Sequence, residues 1–175
     1  MRSPHHLPSL IALVTAAVLS GCAKQAPPPP APPATPPVVE EVVPDAPFCA
    51  KPVEKTAFDV AALKTRLVIS ALACGDQDRY NGFITKNRNG LVAQEKNLTG
   101  YFSRNFGKKG QTAQDDYITQ LANMLAQKRT KDTATFCADS KGIFDAVAAV
   151  KSMNELTDIA TNSKTPQPMK IASCN

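Results

Sequence analysis

The chain has 175 residues, of which 43% are hydrophobic and 20% are charged, and its 20 basic and 15 acidic side chains leave a net charge of +5. Both histidines, His5 and His6, stand near the amino terminus, and tryptophan is absent. The rest of the chain therefore excludes a Ser-His-Asp triad, a Cys-His dyad and a histidine metal site, and the whole chain excludes a tryptophan platform for stacking sugars.

The first 21 residues have the features of an export signal. Arg2 supplies positive charge, and residues 10–19 are all apolar or small. This run is too short to cross a bilayer, since a transmembrane helix needs about 20 apolar residues whereas the hydrophobic region of a signal peptide needs about 7 to 15. We therefore interpret residues 1–21 as a signal peptide that is removed on export.

The signal ends in the tetrapeptide Leu19-Ser20-Gly21-Cys22, which resembles the lipobox of bacterial lipoproteins. The resemblance implies that Cys22 receives a diacylglyceryl thioether, that cleavage occurs before it, and that the new amino terminus is acylated. Several acyl chains form a stable anchor, because each buried methylene contributes about 0.8 kcal/mol. Inner-membrane lipoproteins of enteric bacteria carry Asp where this chain has Ala23, so the resemblance favours the outer membrane, facing the periplasm. The alternative is an ordinary signal peptide, with Cys22 as a free thiol.

Residues 22–47 form a proline-rich linker that begins with the lipidated cysteine. Ten prolines occur between Ala23 and Pro47, with no glycine. Proline lacks the amide donor that helices and sheets need, so we expect a disordered segment rich in polyproline II. This conformation rises about 3.1 Å per residue, so the fully extended segment would be on the order of 75 Å long. It either lifts the domain off the membrane or is a solvated connection without a required length. A ligand for a proline-recognising module is a further alternative.

Residues 48–175 are long enough for one domain, and the spacing of their apolar residues is helical over most of their length. A loose capping box of Thr56 and Asp59 predicts a first helix that stops at Gly75. The second pattern ends at Gly107, and the glycines within it leave open whether residues 76–106 form one helix or two, with a break near residues 87–90.

Two further patterns complete the domain. Thr112 and Asp115 predict the start of a helix that ends near Arg129, and a last helix is predicted from Phe136 to about Leu156. No alternation typical of a strand is present. The expected fold is all-α, a small disulfide-stapled bundle of four or five helices.

Four cysteines lie in the domain, and in an exported chain an even number favours disulfides. Three pairings are possible. We favour the nested one, Cys49 with Cys174 and Cys74 with Cys137, because the first two lie in extended terminal segments and the other two lie in or beside helices. No pair has the short spacing of a zinc knuckle or a redox CxxC motif, so neither a metal nor another cofactor is expected.

Other chemical motifs are weak. The segment from Asp76 to Gly82 resembles a calcium loop but fails the EF-hand spacing, so we interpret it as an acidic turn that starts a helix. The GKKG sequence at residues 107–110 lacks the spacing of a P-loop, although Lys108 and Lys109 are candidates for binding an anion at the following helix. Six aspartates are candidates for acid-base work, and none stands out. They are Asp76, Asp78, Asp115, Asp116, Asp139 and Asp145.

The charge of the domain bears on its partners. Residues 48–175 hold 18 basic and 12 acidic side chains, a net charge of +6, with the densest groups at residues 108–109 and 128–131. Such a surface attracts anionic polymers and lipid phosphates, whereas nucleic acid is not an expected partner of an exported chain. We therefore expect a lipid-anchored envelope protein with a binding or assembly module, without catalytic activity, whose partner is an envelope protein or an anionic polymer. The alternatives are a small carboxylate-dependent hydrolase and a structural subunit of a secretion or surface-layer assembly.

Overall fold

The computed structural model describes residues 48–174, so the proposed signal peptide, Cys22 and the proline-rich linker lie outside the described residues. Five α-helices account for most of the described part, and this confirms the helical bundle expected from the sequence. They are α1 (Pro52–Cys74), α2 (Gln77–Phe106), α3 (Gly110–Lys131), α4 (Thr133–Ala149) and α5 (Met153–Asn162). A 3-10 turn, Gly107–Lys109, joins α2 to α3.

Helix α1 begins five residues earlier than the Thr56–Asp59 pattern predicted, since its N-cap is Lys51 and not Thr56. Pro52 occupies the first helical position, where its missing N–H costs nothing, and the Glu54 carboxylate accepts a hydrogen bond of 2.8 Å from the Lys51 N–H. The Thr56 hydroxyl instead donates to the Pro52 carbonyl within the helix. Gly75 ends α1 as expected, in the left-handed conformation at φ 81°.

Helix α1 is the central element, because α2, α3, α4 and α5 all contact it. One end of the bundle contains an aromatic core around Phe58. The Phe58 ring packs edge-to-face with the rings of Tyr101 and Tyr117, at distances of 4.8 and 5.1 Å between ring centres. The other end packs an aliphatic core around Leu63 and Leu67. In the part of the chain that is described, no helix combines the length and the apolar character that crossing a membrane requires.

Helix α2 runs unbroken through 30 residues, which answers the question that its glycines left open. Gly90 lies at the predicted break, yet the helix continues there. The side chain of Met153 occupies the space that a β-carbon on Gly90 would need. The missing side chain therefore admits a neighbouring helix and does not mark a turn.

The single last helix predicted from Phe136 to Leu156 is wrong, because the chain breaks at Val150 and forms α4 and α5. Ser152 is the N-cap of α5: its hydroxyl accepts a hydrogen bond from the Glu155 N–H, and the Glu155 carboxylate accepts one from the N–H of Lys151, the residue before the cap. The start predicted for α3 is also late, since the helix begins at Gly110, where a β-carbon would stand 2.9 Å from the backbone of α2.

The two ends of the described domain meet. A two-residue strand, β1 (Cys49–Ala50), pairs in parallel with a second, β2 (Ala172–Ser173), and both are too short for a pattern in the sequence to reveal. Disulfides join Cys49 to Cys174 beside this pair and Cys74 to Cys137 between α1 and α4, which is the nested arrangement favoured above.

Candidate functional site

A cleft of about 380 Å³ lies between α2 and the turn that connects α4 to α5. Residues 85–90 of α2 form one wall, and residues 150–153 form the other. We call this cleft the polar groove, since amides, hydroxyls and cations dominate its lining.

The break between α4 and α5 positions the second wall of the polar groove. Val150 is buried in the aliphatic core, at 4% exposure, and holds the turn against the bundle. Met153 packs on Gly90 at the floor, and the N-cap hydrogen bond of Ser152 directs the chain into α5. The exposed Lys151 is thereby placed opposite α2.

Three cations line the polar groove: Lys86, Arg88 and Lys151. All three are exposed, none forms an ion pair with another residue between 48 and 174, and the lining contains no carboxylate. The Lys86 ammonium donates one hydrogen bond of 2.6 Å to the Ala148 carbonyl, which leaves two of its three donors free. The side chains of Thr85, Asn89 and Ser152 add neutral polar groups, so the groove is suited to an anion.

A second cleft, of about 300 Å³, lies between α2 and α4, and we call it the α2–α4 cavity. Most of its lining is apolar. The residues are Arg79, Gly82, Phe83, Lys86, Phe144, Val147 and Ala148. Arg79 pairs with Asp145 and lies 3.7 Å from Asp76, while its guanidinium carbon is 5.0 Å from the centre of the Phe144 ring. The cation at this end of the cavity is therefore neutralised.

A third cleft, of about 180 Å³, opens on the aromatic core, and we call it the aromatic pocket. Phe102, Phe106, Tyr117 and Met169 contribute to its walls, and Asp116 is the one carboxylate of its lining. The Tyr117 hydroxyl donates to the Gln167 side chain at 2.6 Å. Burial, and secondarily the nearby Asp59 carboxylate, raise the pKa of Tyr117 well above its usual range. A neutral Tyr117 is therefore a structural part of this core.

The candidate carboxylates do not gather in one place. Asp76 lies immediately before α2, in agreement with the prediction of an acidic turn that starts a helix. Both Asp76 and Asp145 lie near Arg79. Asp115 accepts a hydrogen bond from Gln111, and Asp116 is exposed at the aromatic pocket. A glycosidase places two carboxyl groups about 5 to 9.5 Å apart across a cleft. Neither the polar groove nor the aromatic pocket has two carboxylates in its lining.

The remaining aspartates and the paired lysines also lie elsewhere. Asp78 is exposed in the first turn of α2, and Asp139 on α4 interacts with the buried Arg66. Lys108 and Lys109 are exposed on the 3-10 turn before α3, outside the polar groove. Within residues 48–174, no three side chains of the His, Cys, Asp or Glu type are grouped so that they could hold a metal ion.

Reasoning from the sequence did not identify the cations of the polar groove. Lys86 and Arg88 belong to α2, and Lys151 lies far along the chain in a segment where the apolar spacing predicts one continuous helix. The sequence pattern of Ser152 followed by Glu155 three residues later, typical of a helix start, is the signal that marks the break and could have placed Lys151 on a turn. No family model, curated protein or solved structure matches this chain.

Proposed function

We propose that this chain is a lipid-anchored envelope lipoprotein whose helical domain is a non-catalytic binding module. The module binds an anionic component of the envelope through the polar groove. Cys22 fastens the amino terminus to the outer membrane, and residues 23–47 connect that anchor to the domain in the periplasm.

The observation that carries the binding role is the charge of the polar groove. Lys86, Arg88 and Lys151 converge on one cleft without a carboxylate in its lining. Cations that are not paired within the protein retain their attraction for an external anion, and a concave surface concentrates that attraction. The net charge of +6 over residues 48–175 attracts the same partners over a longer range.

Two features support export and anchoring. The sequence Leu19-Ser20-Gly21-Cys22 resembles a lipobox, and disulfides such as Cys49–Cys174 and Cys74–Cys137 persist in oxidising compartments like the periplasm. The absence of histidine after His6 supports a binding role over acid-base catalysis.

Metabolic labelling with radioactive palmitate tests the anchor. The wild-type chain should incorporate label and begin at Cys22, whereas a Cys22→Ser chain should remain unlabelled. A wild-type chain that takes up no palmitate and keeps its initiator methionine would overturn the lipoprotein assignment.

Chromatography on immobilised polyphosphate tests the binding surface. The Cys22→Ser protein, purified from the periplasm so that its disulfides form, should be eluted at lower salt after Arg88→Gln and Lys151→Gln are combined. The charge-matched control combines Lys96→Gln and Lys141→Gln, two exposed lysines outside the groove. Equal elution of the two double variants would remove the polar groove from the proposal.

A further inference from the structure

The polar groove and the α2–α4 cavity share one lining residue, Lys86. On one side of Lys86 lie two more cations, Arg88 and Lys151. On the other side lie the apolar side chains of Phe83 and Phe144 and of their neighbours on α4. A single molecule that contacts both clefts therefore meets cations at one end and hydrocarbon at the other.

The charges define an orientation for such a molecule. Arg79, at the far end of the α2–α4 cavity, is already paired with Asp145 and lies near Asp76, whereas Lys86 has no carboxylate partner among residues 48–174. Arg79 and Lys86 stand seven residues apart on α2, a rise of about 10.5 Å along the helix. An anionic group is attracted to the Lys86 end, and the space toward Arg79 is left for an uncharged chain.

Gly82 keeps this space open. It lines the α2–α4 cavity, and a β-carbon built on it meets no heavy atom within 4 Å. Packing against a neighbour therefore does not account for a glycine here, unlike Gly90. A larger side chain at position 82 would project from a wall of the cavity without disturbing the bundle.

We infer that the ligand is a single-chain anionic amphiphile. Its anionic head binds Lys86, Arg88 and Lys151, and its hydrocarbon chain lies in the α2–α4 cavity against Phe83 and Phe144. This inference rests on the proposed function, because it assigns the ligand class of the polar groove. The complementary charge and the adjoining apolar lining distinguish this ligand from a purely polar anion.

Calorimetric titration with four probes tests the inference on the Cys22→Ser protein. Dodecyl phosphate has both the head and the chain, methyl phosphate has the head alone, and dodecyl maltoside and dodecyltrimethylammonium have the chain without an anion. All are used below their critical micelle concentrations. Dodecyl phosphate should bind at least about tenfold more tightly than methyl phosphate, because burying even two methylenes is worth about that factor. It should also bind about tenfold more tightly than the other two probes, because these lack the anionic head, and hydrogen bonds between charged groups are worth about 1.5 to 3 kcal/mol.

Two pairs of matched variants locate the two halves of the ligand. Gly82→Leu should weaken dodecyl phosphate about tenfold or more and leave methyl phosphate unchanged, since it fills only the cavity. Its control is Gly100→Leu. Gly100 is an exposed glycine of the same helix and lies outside the cavity. A β-carbon added there would also meet no heavy atom within 4 Å. The Arg88→Gln and Lys151→Gln double variant should weaken both phosphates by about tenfold relative to the Lys96→Gln and Lys141→Gln control.

The outcomes separate this inference from the proposed function. Equal affinities for methyl and dodecyl phosphate, or equal effects of the two glycine variants, would overturn the amphiphile and leave an anion-binding groove intact. Equal affinities for dodecyl phosphate and dodecyl maltoside would overturn the inference, whereas the anionic groove itself is overturned by equal elution of the two double variants from polyphosphate. Circular dichroism of each variant establishes that the helices are retained.

Discussion

The side chain of Met153 lies in the space that a β-carbon on Gly90 would occupy, so the first residue of α5 packs directly on the backbone of α2. This contact holds the α4–α5 turn at the floor of the polar groove. Alanine normally stabilises a helix over glycine by about 1 kcal/mol. We predict that Gly100→Ala gains close to this amount in free energy of unfolding, and that Gly90→Ala gains less or is destabilised because Met153 must move.

Urea unfolding of the two glycine variants measures this difference. Met153→Ala removes the obstructing side chain. In this background, Gly90→Ala should therefore raise the free energy of unfolding, so the double variant should be more stable than Met153→Ala alone. Equal stabilisation by Gly90→Ala and Gly100→Ala would contradict the packing described here.

The ion pair of Glu54 and Arg104 ties three elements together. Glu54 is 6% exposed and caps α1, while Arg104 from α2 donates both to Glu54 and to the Cys49 carbonyl, the latter at 3.0 Å. Arg104→Ala leaves the buried carboxylate without its cation, so we predict a loss of about 2 kcal/mol or more in stability. Glu54→Gln should lower the free energy of unfolding less when it is added to Arg104→Ala than when it is made in the wild-type chain. A double-mutant cycle measures this coupling. Strict additivity would show that the pair contributes nothing.

Each disulfide closes a long loop, of 125 and 63 residues in sequence separation. In the chain-entropy model, either bond stabilises the folded state by roughly 4 to 5 kcal/mol. We predict losses of this order for the Cys49→Ala and Cys174→Ala pair, and for the Cys74→Ala and Cys137→Ala pair. Chemical denaturation under oxidising conditions provides the measurement. Unchanged midpoints for both pairs would show that the bonds are dispensable for stability.

Alkaline pH should reveal the buried phenol of Tyr117. Its pKa in the folded state is raised, mainly by burial, whereas in the unfolded state it has the ordinary value of about 10. Below about pH 10 the phenol is neutral in both states and its stabilising effect is complete. Above that pH the unfolded state ionises and the folded state does not, so the free energy of unfolding should fall as the pH rises.

Tyr117→Phe removes this ionisation and should reduce the decline above pH 10, although the lost hydrogen bond to Gln167 lowers stability at every pH. Burial also raises the pKa of Tyr101, so some decline should remain in the variant. Ultraviolet titration of the phenols measures the ionisation directly. A Tyr117 that titrates in the folded protein near pH 10 would refute its burial.

Local patterns and tertiary contacts contributed unequally to what the sequence could predict. Helical spacing revealed the bundle, and Gly75 marked the end of α1 because a left-handed residue there depends only on neighbouring backbone. The start of α1 was missed because Glu54 caps it through a carboxylate, without the Ser or Thr at the N-cap that such patterns require. Gly90 suggested a break because its real constraint, Met153, lies 63 residues away in the chain and is invisible to local periodicity.

The polar groove illustrates the same limit. Lys108 and Lys109 form a charge cluster in the sequence because they are adjacent, yet they lie on a separate exposed turn. Lys86 and Lys151 line the same cleft only because α4 ends at Ala149, α5 packs against α1, and Met153 at the start of α5 rests on Gly90 of α2. Charge clusters formed by folding cannot be found by counting charges along the chain.

The parallel pairing of β1 with β2, closed by the Cys49–Cys174 bond, has a mechanical consequence. Tension applied between Phe48 and Cys174 is carried by the disulfide, because Cys49, the residue after Phe48, is bonded directly to Cys174. The helices between those points carry no load until that link is reduced. A pull along this axis in an oxidising compartment should therefore leave the bundle folded, whereas after reduction the same pull should extend it.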